Sequence, residues 1–492
     1  MVLSPVLKAS DHVEKGDTKS EQSIVLDSLR VDYQKPLNLP SGKLFGTDGI
    51  RGNATELLTP ALAFRVGFCA GQVLGVDSQH PFILGWDSRN SSEPLAIALS
   101  DGLAAAGIPV WQVGLCPTPM VSFLCHFAGA AGGVMISASH NPPQDNGIKF
   151  FGADGTKLSR VQQQGIELAL RQESLAGAMI PAQTGLSFVN RADLAQAYVN
   201  ALHTPLKEHP DLTGMRVVLD LAWGSATRFG EQIFRELGVE VIALHASPNG
   251  DRINVNCGST HTALLQAAIQ EHNADLGFAF DGDADRAIAM DNQGRLIDGD
   301  YILYLWGNLL KHQGKLPGNT IISTVMANLG FERAWQQQGG RLIRTAVGDQ
   351  HVHTEMLKQG AVLGGEQSGH IICHHYGISG DGLQTALHLT HLVKQSGMSL
   401  ADLRDQSFQT FPQLLRNVRV VDRDRRLNWQ DCDPVQHAIT QAEAAMDDQG
   451  RVLVRASGTE PVIRVMVEAA DAELTEYWTS AIAETVQRHL AA

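Results

Sequence analysis

Asp281, Asp283 and Asp285 stand at alternate positions in "FDGDADR", directly after an apolar run. Three carboxylates so placed repel one another unless a cation sits among them, and an all-oxygen ligand set suits Mg²⁺. An EF-hand is excluded: counted from Asp281, the sixth position is Arg286 where glycine is required, and the twelfth is Asn292 where glutamate is required. The plainer alternative is a solvated acidic turn. Arg286 beside the carboxylates suggests that an anion such as phosphate also comes here.

A second cluster, "RASGTEPVIRV", puts Arg455, Ser457, Gly458, Thr459 and Arg464 in one compact loop. A guanidinium fork, two hydroxyls and open backbone N–H groups are what a phosphate dianion needs, although a hairpin with incidental arginines has the same composition. "GGEQSGH" sets Glu366, Gln367, Ser368 and His370 between glycines, a pattern that brackets sugar hydroxyls or makes a polar turn. His370, Cys373, His374 and His375 lack the paired spacing of zinc ligands. Ser139, in "SASHNPP", lies where an apolar run meets two prolines. Ser137 and Asn141 occupy positions that a hydrolase elbow reserves for glycine, and an extended backbone would turn His140 to the opposite face. No G-x-x-x-x-G-K-[ST] occurs, so a P-loop is not supported. A metal loop, a phosphate loop, a hydroxyl-reading loop and a stiffly held serine together describe phosphoryl transfer to or from a sugar.

These loops need strands to hold them. "PFILGWDSR" reads as a strand between the helical patterns "TPALAFRVGFCAGQVLG" and "PLAIALSDGLAAAGIPV". The alternation recurs in "MRVVLDLAWGSA", "ELGVEVIAL" and "ADLGFAFDGDADR", and again in "NTIISTVMAN", "RLIRTAVGD" and "AVLGGEQSGH". Such repeats predict α/β domains with mixed or mostly parallel sheets. The last eighty or so residues differ: "RNVRVVDRD", "GRVLVRASG" and "EPVIRVMVEA" alternate like an antiparallel sheet, and "DAELTEYWTSAIAETVQRHL" is an amphipathic helix. The expected organisation is an extension over 1–42, α/β domains over 43–190, 191–298 and 299–410, and an α+β domain over 411–492. The extension is expected to be mobile.

A length of 492 residues asks for several cores, and 43% hydrophobic with 18% charged residues is an ordinary globular composition. The net charge of −14 argues against a nucleic-acid partner. Six cysteines without a C-x-x-C pair favour reduced thiols in the cytoplasm. No apolar run approaches the roughly 18 residues of a membrane span. The start lacks the apolar stretch of a signal peptide, and its acidic residues argue against a transit peptide.

The four motifs in this order resemble the α-D-phosphohexomutase superfamily over about residues 43–490: "SASHNPP" its phosphoserine loop, "DGDADR" its metal loop, "GEQSGH" its sugar loop and "RASGTEPVIRV" its phosphate loop. Within it, "FGTDGIRG", "NCGSTH", "GEQSGH" in place of "GEMSGH", and "IRVMVE" are most similar to the branch acting on glucosamine phosphates. The resemblance implies four domains in a heart-like arrangement around a central cleft. It implies a phosphoserine enzyme that interconverts glucosamine 6-phosphate and glucosamine 1-phosphate through a 1,6-bisphosphate, feeding UDP-N-acetylglucosamine synthesis. Mannose or glucose phosphates are the alternative substrates. On matching positions, Ser139 would carry the phosphoryl group, and Ser139 phosphate with Asp281, Asp283 and Asp285 would hold one Mg²⁺. Arg51, His140, Lys149, Arg286 and His370 would line the reacting centre. Lys149 and His370 are nominated for proton transfer, Lys149 with a pKa lowered by Arg51 and the metal. Glu366 and Ser368 would read sugar hydroxyls, and the 455–464 loop would hold the non-reacting phosphate. Gln350 departs from the pattern, standing where relatives often carry a basic residue.

Overall fold

The computed structural model describes residues 37–74, 80–172, 188–206, 211–457 and 460–491. Their strands form four sheets, met in chain order. The first contains β1 (Phe45–Gly46), β2 (Gly49–Asn53), β3 (Phe82–Trp86), β4 (Val110–Leu115), β5 (Gly132–Ile136), β6 (Asp145–Gly152) and β7 (Phe188–Asn190), in the order β1-β2-β6-β5-β3-β4-β7. The second contains β8 (Arg216–Asp220), β9 (Glu240–Leu244), β10 (Leu276–Phe280), β11 (Ala287–Asp291) and β12 (Leu296–Ile297), in the order β12-β11-β10-β8-β9. The third, β13 (Thr320–Thr324), β14 (Arg341–Thr345), β15 (Leu363–Gly365) and β16 (Ile371–Cys373), runs β14-β13-β15-β16. The fourth, β17 (Gln413–Arg419), β18 (Gly450–Ala456) and β19 (Val462–Ala469), runs β17-β19-β18.

Sheets one to three are mixed. Apolar β-rich runs such as "FILGW" and "TIIST" are buried in parallel pairs, as crossover helices on the sheet faces require. Each of these sheets also contains one antiparallel pair whose connection is a sequence motif. β5 and β6 enclose the Ser139 loop, β10 and β11 the aspartate loop, and β15 and β16 the "EQSGH" loop. In the wholly antiparallel fourth sheet, β18 and β19 enclose the arginine loop. A loop between two paired strands has both ends pinned, so its side chains are aimed by sheet register.

One apolar cluster runs continuously through the first three sheets, from Ile83 through Phe278 and Ile321 to Phe408. A second covers the far face of the first sheet, where the helices Pro60–Leu74 and Ser92–Ala105 cross. The fourth sheet has its own core beneath the helices Asp433–Met446 and Ala472–Leu490. Its junction with the third is polar: buried Glu468 accepts from Arg451 (2.5 Å) and from the Leu329 amide (2.7 Å), and Arg451 also donates to the Val325 and Ala327 carbonyls.

The expected mobile extension needs correction at its end. Leu37 and Leu39 pack on the first domain, and Arg171 donates to the carbonyls of Pro40 and Gly42. Residues 1–36 lie outside the described residues. All six cysteines are unpaired thiols, five of them buried. Among the described residues no helix is long and apolar enough to cross a membrane.

Candidate active site

Ser139 leaves β5 with φ of +55°, in the left-handed region that a non-glycine residue adopts only under external constraint. The constraint is visible. Buried Arg89 donates from Nη2 to the carbonyls of Ser139 (3.0 Å) and Asn141 (2.7 Å), and Asn254 Nδ2 donates to the same two at 2.8 and 3.0 Å. Asp87 at the end of β3 accepts from Arg89 and from the Ser137 hydroxyl, which in turn accepts from the Ser139 amide (2.9 Å). Gly282 lies so close that a Cβ there would sit 2.7 Å from the Ser139 carbonyl oxygen. The expectation that His140 points away from Ser139 is overturned for this reason. The left-handed turn brings His140 Nδ1 to 3.3 Å from Ser139 Oγ and 3.3 Å from Arg286 Nη1. Burial, then Arg286 and Arg51, lower the His140 pKa to about 4, so the imidazole is neutral at pH 7.

Ser139 Oγ donates to Asp281 Oδ2 at 2.5 Å. Asp281, Asp283 and Asp285 are all buried, with carboxylate oxygens within 4.8 Å of one another. Burial first, then Asp285 and Asp283, push the Asp281 pKa well above the usual carboxylate range. Asp283 Oδ1 and Asp285 Oδ1 are buried without a hydrogen-bond partner. Orphaned oxygens in a crowd of buried carboxylates fit a divalent cation, and oxygen-only donors fit Mg²⁺. A second group, Asp220, His245 and Cys257, has ligand-type atoms equally close. Asp220 is already satisfied there by the amides of Ala222 and Gly258 and by His245, so that cluster is a hydrogen-bonded loop anchor. Among the described residues His370, Cys373, His374 and His375 form no metal-ligating cluster.

Register places the cations. Lys149 on β6 pairs with Met135 of β5, and Arg51 on β2 pairs with Gly147. Lys149 Nζ, almost wholly buried, lies 2.7 Å from Asp283, 3.0 Å from Asp48 and 3.3 Å from Asp285. The Arg51 half of the expected lowering is outweighed: before any cation joins the aspartates, the Lys149 pKa is raised well above its ordinary value. Burial favours the neutral amine, but three carboxylates outweigh both burial and the opposing charge of Arg51. Arg51 pairs with Asp48, and Arg286 lies 3.7 Å from Asp285. His370, with Gly380 packed on its ring, stands 3.6 Å from Asp285 and 3.5 Å from Asp349; burial opposes its charged form, but these carboxylates raise its pKa. Glu366 accepts from the Gly348 amide at 2.9 Å, while Ser368 is half-buried.

Ser139, His140, Arg51, Lys149, the three aspartates, Arg286 and His370 therefore form one cluster drawn from three sheets. The arginine loop is separate: among the described residues no hydrogen bond or ion pair joins Arg455, Ser457 or Arg464 to that cluster. Arg455 and Arg464 face each other across β18 and β19, each with a buried unpartnered Nε, and Arg464 also pairs with Glu460. Burial, then Arg464, lowers the Arg455 pKa, so the pair is short of negative charge. Gly458 and Thr459 lie outside the described residues. Sequence reasoning passed over Asp48, Lys157, Asp349, Arg89 and Asn254. Asp48 lay within the quoted "FGTDGIRG", Arg89 within "PFILGWDSR" and Asp349 within "RLIRTAVGD"; Lys157 and Asn254 lay in no quoted motif. Gln350 donates to the Leu158 carbonyl at 3.2 Å, across the junction of the first and third sheets.

Four mixed or antiparallel sheets with a loop of distinct chemistry on each define the class. The chain belongs to the phosphoglucomutase/phosphomannomutase family, whose domains I, II, III and C-terminal domain match residues 42–176, 196–294, 298–411 and 415–485. Its relatives narrow this further. A phosphoglucosamine mutase of a Nostoc species is 64% identical over 461 residues, covering 92% of this chain and 93% of the relative. Another, from Nostoc punctiforme, is 62% identical over 478 residues, covering 96% and 97%. Among solved structures, a phosphoglucomutase/phosphomannomutase family protein from Burkholderia thailandensis matches with TM-score 0.74 at 24% identity, covering 91% of this chain and 97% of that one. N-acetylphosphoglucosamine mutase of Aspergillus fumigatus, in complex with GlcNAc-6P and magnesium, matches with TM-score 0.61 at 17% identity, covering 95% and 99%. At such identities these two structures speak for the fold.

Proposed function

We propose that this protein interconverts glucosamine 6-phosphate and glucosamine 1-phosphate, with Ser139 as phosphoryl carrier. The observation that carries the reading is Ser139 Oγ hydrogen-bonded to Asp281 within a buried three-aspartate loop, in a chain 64% identical to a phosphoglucosamine mutase. The phosphate of glucosamine 6-phosphate docks on Arg455, Ser457, Gly458, Thr459 and Arg464, while Glu366 and Ser368 read hydroxyls. The phosphoryl group leaves Ser139 Oγ for sugar O1: the Oγ–P bond breaks, an O1–P bond forms, and a 1,6-bisphosphate results. The sugar then reverses, and its 6-phosphoryl group returns to Oγ. Asp281, Asp283, Asp285 and the Ser139 phosphate would hold Mg²⁺, which would supply charge neutralisation for the transferring oxygens. Arg51, Arg286 and neutral His140 orient the phosphoryl oxygens. Lys149 and His370 move the protons: one donates to Ser139 Oγ as the Oγ–P bond breaks, and the other takes the proton that sugar O1 loses as the O1–P bond forms. The unpaired thiols suit the reducing cytoplasm.

Purified protein, assayed with glucosamine 6-phosphate, Mg²⁺ and a hexose 1,6-bisphosphate activator, is expected to produce glucosamine 1-phosphate, with turnover lost on chelation. Intact mass should show one added phosphate that Ser139→Ala lacks. Higher kcat/KM on mannose or glucose 6-phosphate would overturn the substrate assignment, and release of inorganic phosphate without isomerisation would make the protein a phosphatase.

A further inference from the structure

Around the candidate site the ionic groups close into a ring. Lys149 lies 3.0 Å from Asp48, Asp48 pairs with Lys157, and Lys157 lies 2.5 Å from Asp349. Asp349 stands 3.5 Å from His370 Nε2, His370 Nδ1 stands 3.6 Å from Asp285, and Asp285 returns to Lys149 at 3.3 Å. The six members come from three domains: Asp48, Lys149 and Lys157 from the first, Asp285 from the second, and Asp349 and His370 from the third. The two groups nominated for proton transfer, Lys149 and His370, divide the ring into two arcs. One arc joins them through the single carboxylate of Asp285, and the other runs through Asp48, Lys157 and Asp349.

Asp349 is the hinge of the second arc. It opens the helix Asp349–Gln359, whose N-terminal dipole favours a carboxylate, and Glu366 anchors the adjoining Gly348 amide. His370 Nε2 is buried without a hydrogen-bond partner and faces Asp349, while Nδ1 faces Asp285, so two carboxylates on opposite edges hold the ring between them by charge. We propose, resting on the phosphoserine mutase reading above, that Asp349 is a positioning residue: it orients His370 and, through Lys157 and Asp48, fixes where Lys149 stands relative to it. Asp349 touches neither Ser139 nor the aspartate loop, so it acts only through these partners.

A cavity of 560 Å³ between the turn at 152–159 and the helix Asp349–Gln359 has Lys157, Asp349, His353 and His370 in its wall. It provides a direct test, because a one-carbon carboxylate can enter from solvent and stand in for a removed side chain. Asp349→Ala is expected to lower kcat about 100-fold, the effect of displacing a reacting group by about 1 Å, with KM for glucosamine 6-phosphate within about threefold. Sodium formate should restore at least about a tenth of the lost kcat in a saturable manner, sodium chloride should not, and Asp349→Glu should retain more activity than Asp349→Asn. Lys157→Met should show the same split of kcat from KM, and the double variant should be no worse than about threefold below the worse single one, because both break the same arc. Wild-type-like kcat in Asp349→Ala overturns the proposal. So does a loss of activity that formate leaves untouched, whatever the Tm, since a purely structural carboxylate gives that result. A wild-type protein that fails to convert glucosamine 6-phosphate removes the mutase reading itself, a separate outcome seen before any variant is made.

Discussion

Ser139 is held by its carbonyl more than by its hydroxyl. Arg89 and Asn254 grip the backbone on one side of the residue, and Asp281 receives the hydroxyl on the other. The left-handed φ is the conformational cost of that arrangement, and it turns His140 toward the same centre. Replacing Ser139 with alanine is expected to lower kcat by about 10³-fold or more and to abolish labelling by a bisphosphate, read by intact mass. Lys149→Met should lower kcat by about 10²-fold or more, since it removes a cation that touches three carboxylates. Retention of full rate in that variant would remove Lys149 from the mechanism. A divalent ion that binds the folded aspartate loop and not the unfolded chain stabilises by about 2.7 kcal/mol at a hundred times its Kd. Mg²⁺ should accordingly raise the Tm of the wild type and leave that of Asp283→Asn nearly unchanged.

At the scale of elements, the recurring device is a hairpin connection on each sheet, with strand register aiming the loop. The polar junction between the third and fourth sheets is built differently, around Glu468, whose side chain is fully buried and paired with Arg451. Removing one partner of a buried pair leaves the other uncompensated, so Arg451→Ala is expected to destabilise by about 3–5 kcal/mol. Adding Glu468→Gln should recover much of that loss, because the neutral amide retains an acceptor for the Leu329 amide. Denaturant unfolding of the two variants checks this, and a double variant no more stable than Arg451→Ala would refute it.

Across the whole molecule, one apolar cluster unites three sheets, and buried charged groups stand beside it. Asp381 is one. It caps the helix Gly382–Ser396 through the Gln384 amide (3.0 Å) and accepts from the Tyr198 hydroxyl (2.8 Å), tying that helix to Ala195–His203. Burial raises its pKa to about 6. A carboxyl group whose folded pKa exceeds the unfolded value of about 3.9 contributes its stability below pH 4 and loses it as pH rises through 6. Asparagine keeps an acceptor and never ionises. The stability of Asp381→Asn relative to wild type should therefore rise between pH 4 and 7, by up to about 3 kcal/mol, and then stay level. Paired thermal melts across that range would show it; a difference that is flat or falls with pH would rule it out.

The sequence by itself determined the kinds of group available and the local loops that present them. Three alternating aspartates, a serine before two prolines and a glycine-flanked Glu-Gln-Ser run each state their chemistry within a few residues, and the four together were enough to mark the family. Its alternating strands and helices, and the change of pattern in the last eighty residues, likewise set the architecture, because burial periodicity is a local property of the chain. Tertiary structure alone decided which groups meet. Asp281 is 142 positions from Ser139, and Asp349 is 192 from Lys157, so neither contact leaves a periodic trace. The same reason explains two features of the site. His140 turns toward Ser139 because distant Arg89 and Asn254 hold the loop, and the Lys149 pKa is raised because Asp48, Asp283 and Asp285 reach it from two domains. Backbone conformation and charge state at a buried site are set by neighbours in space.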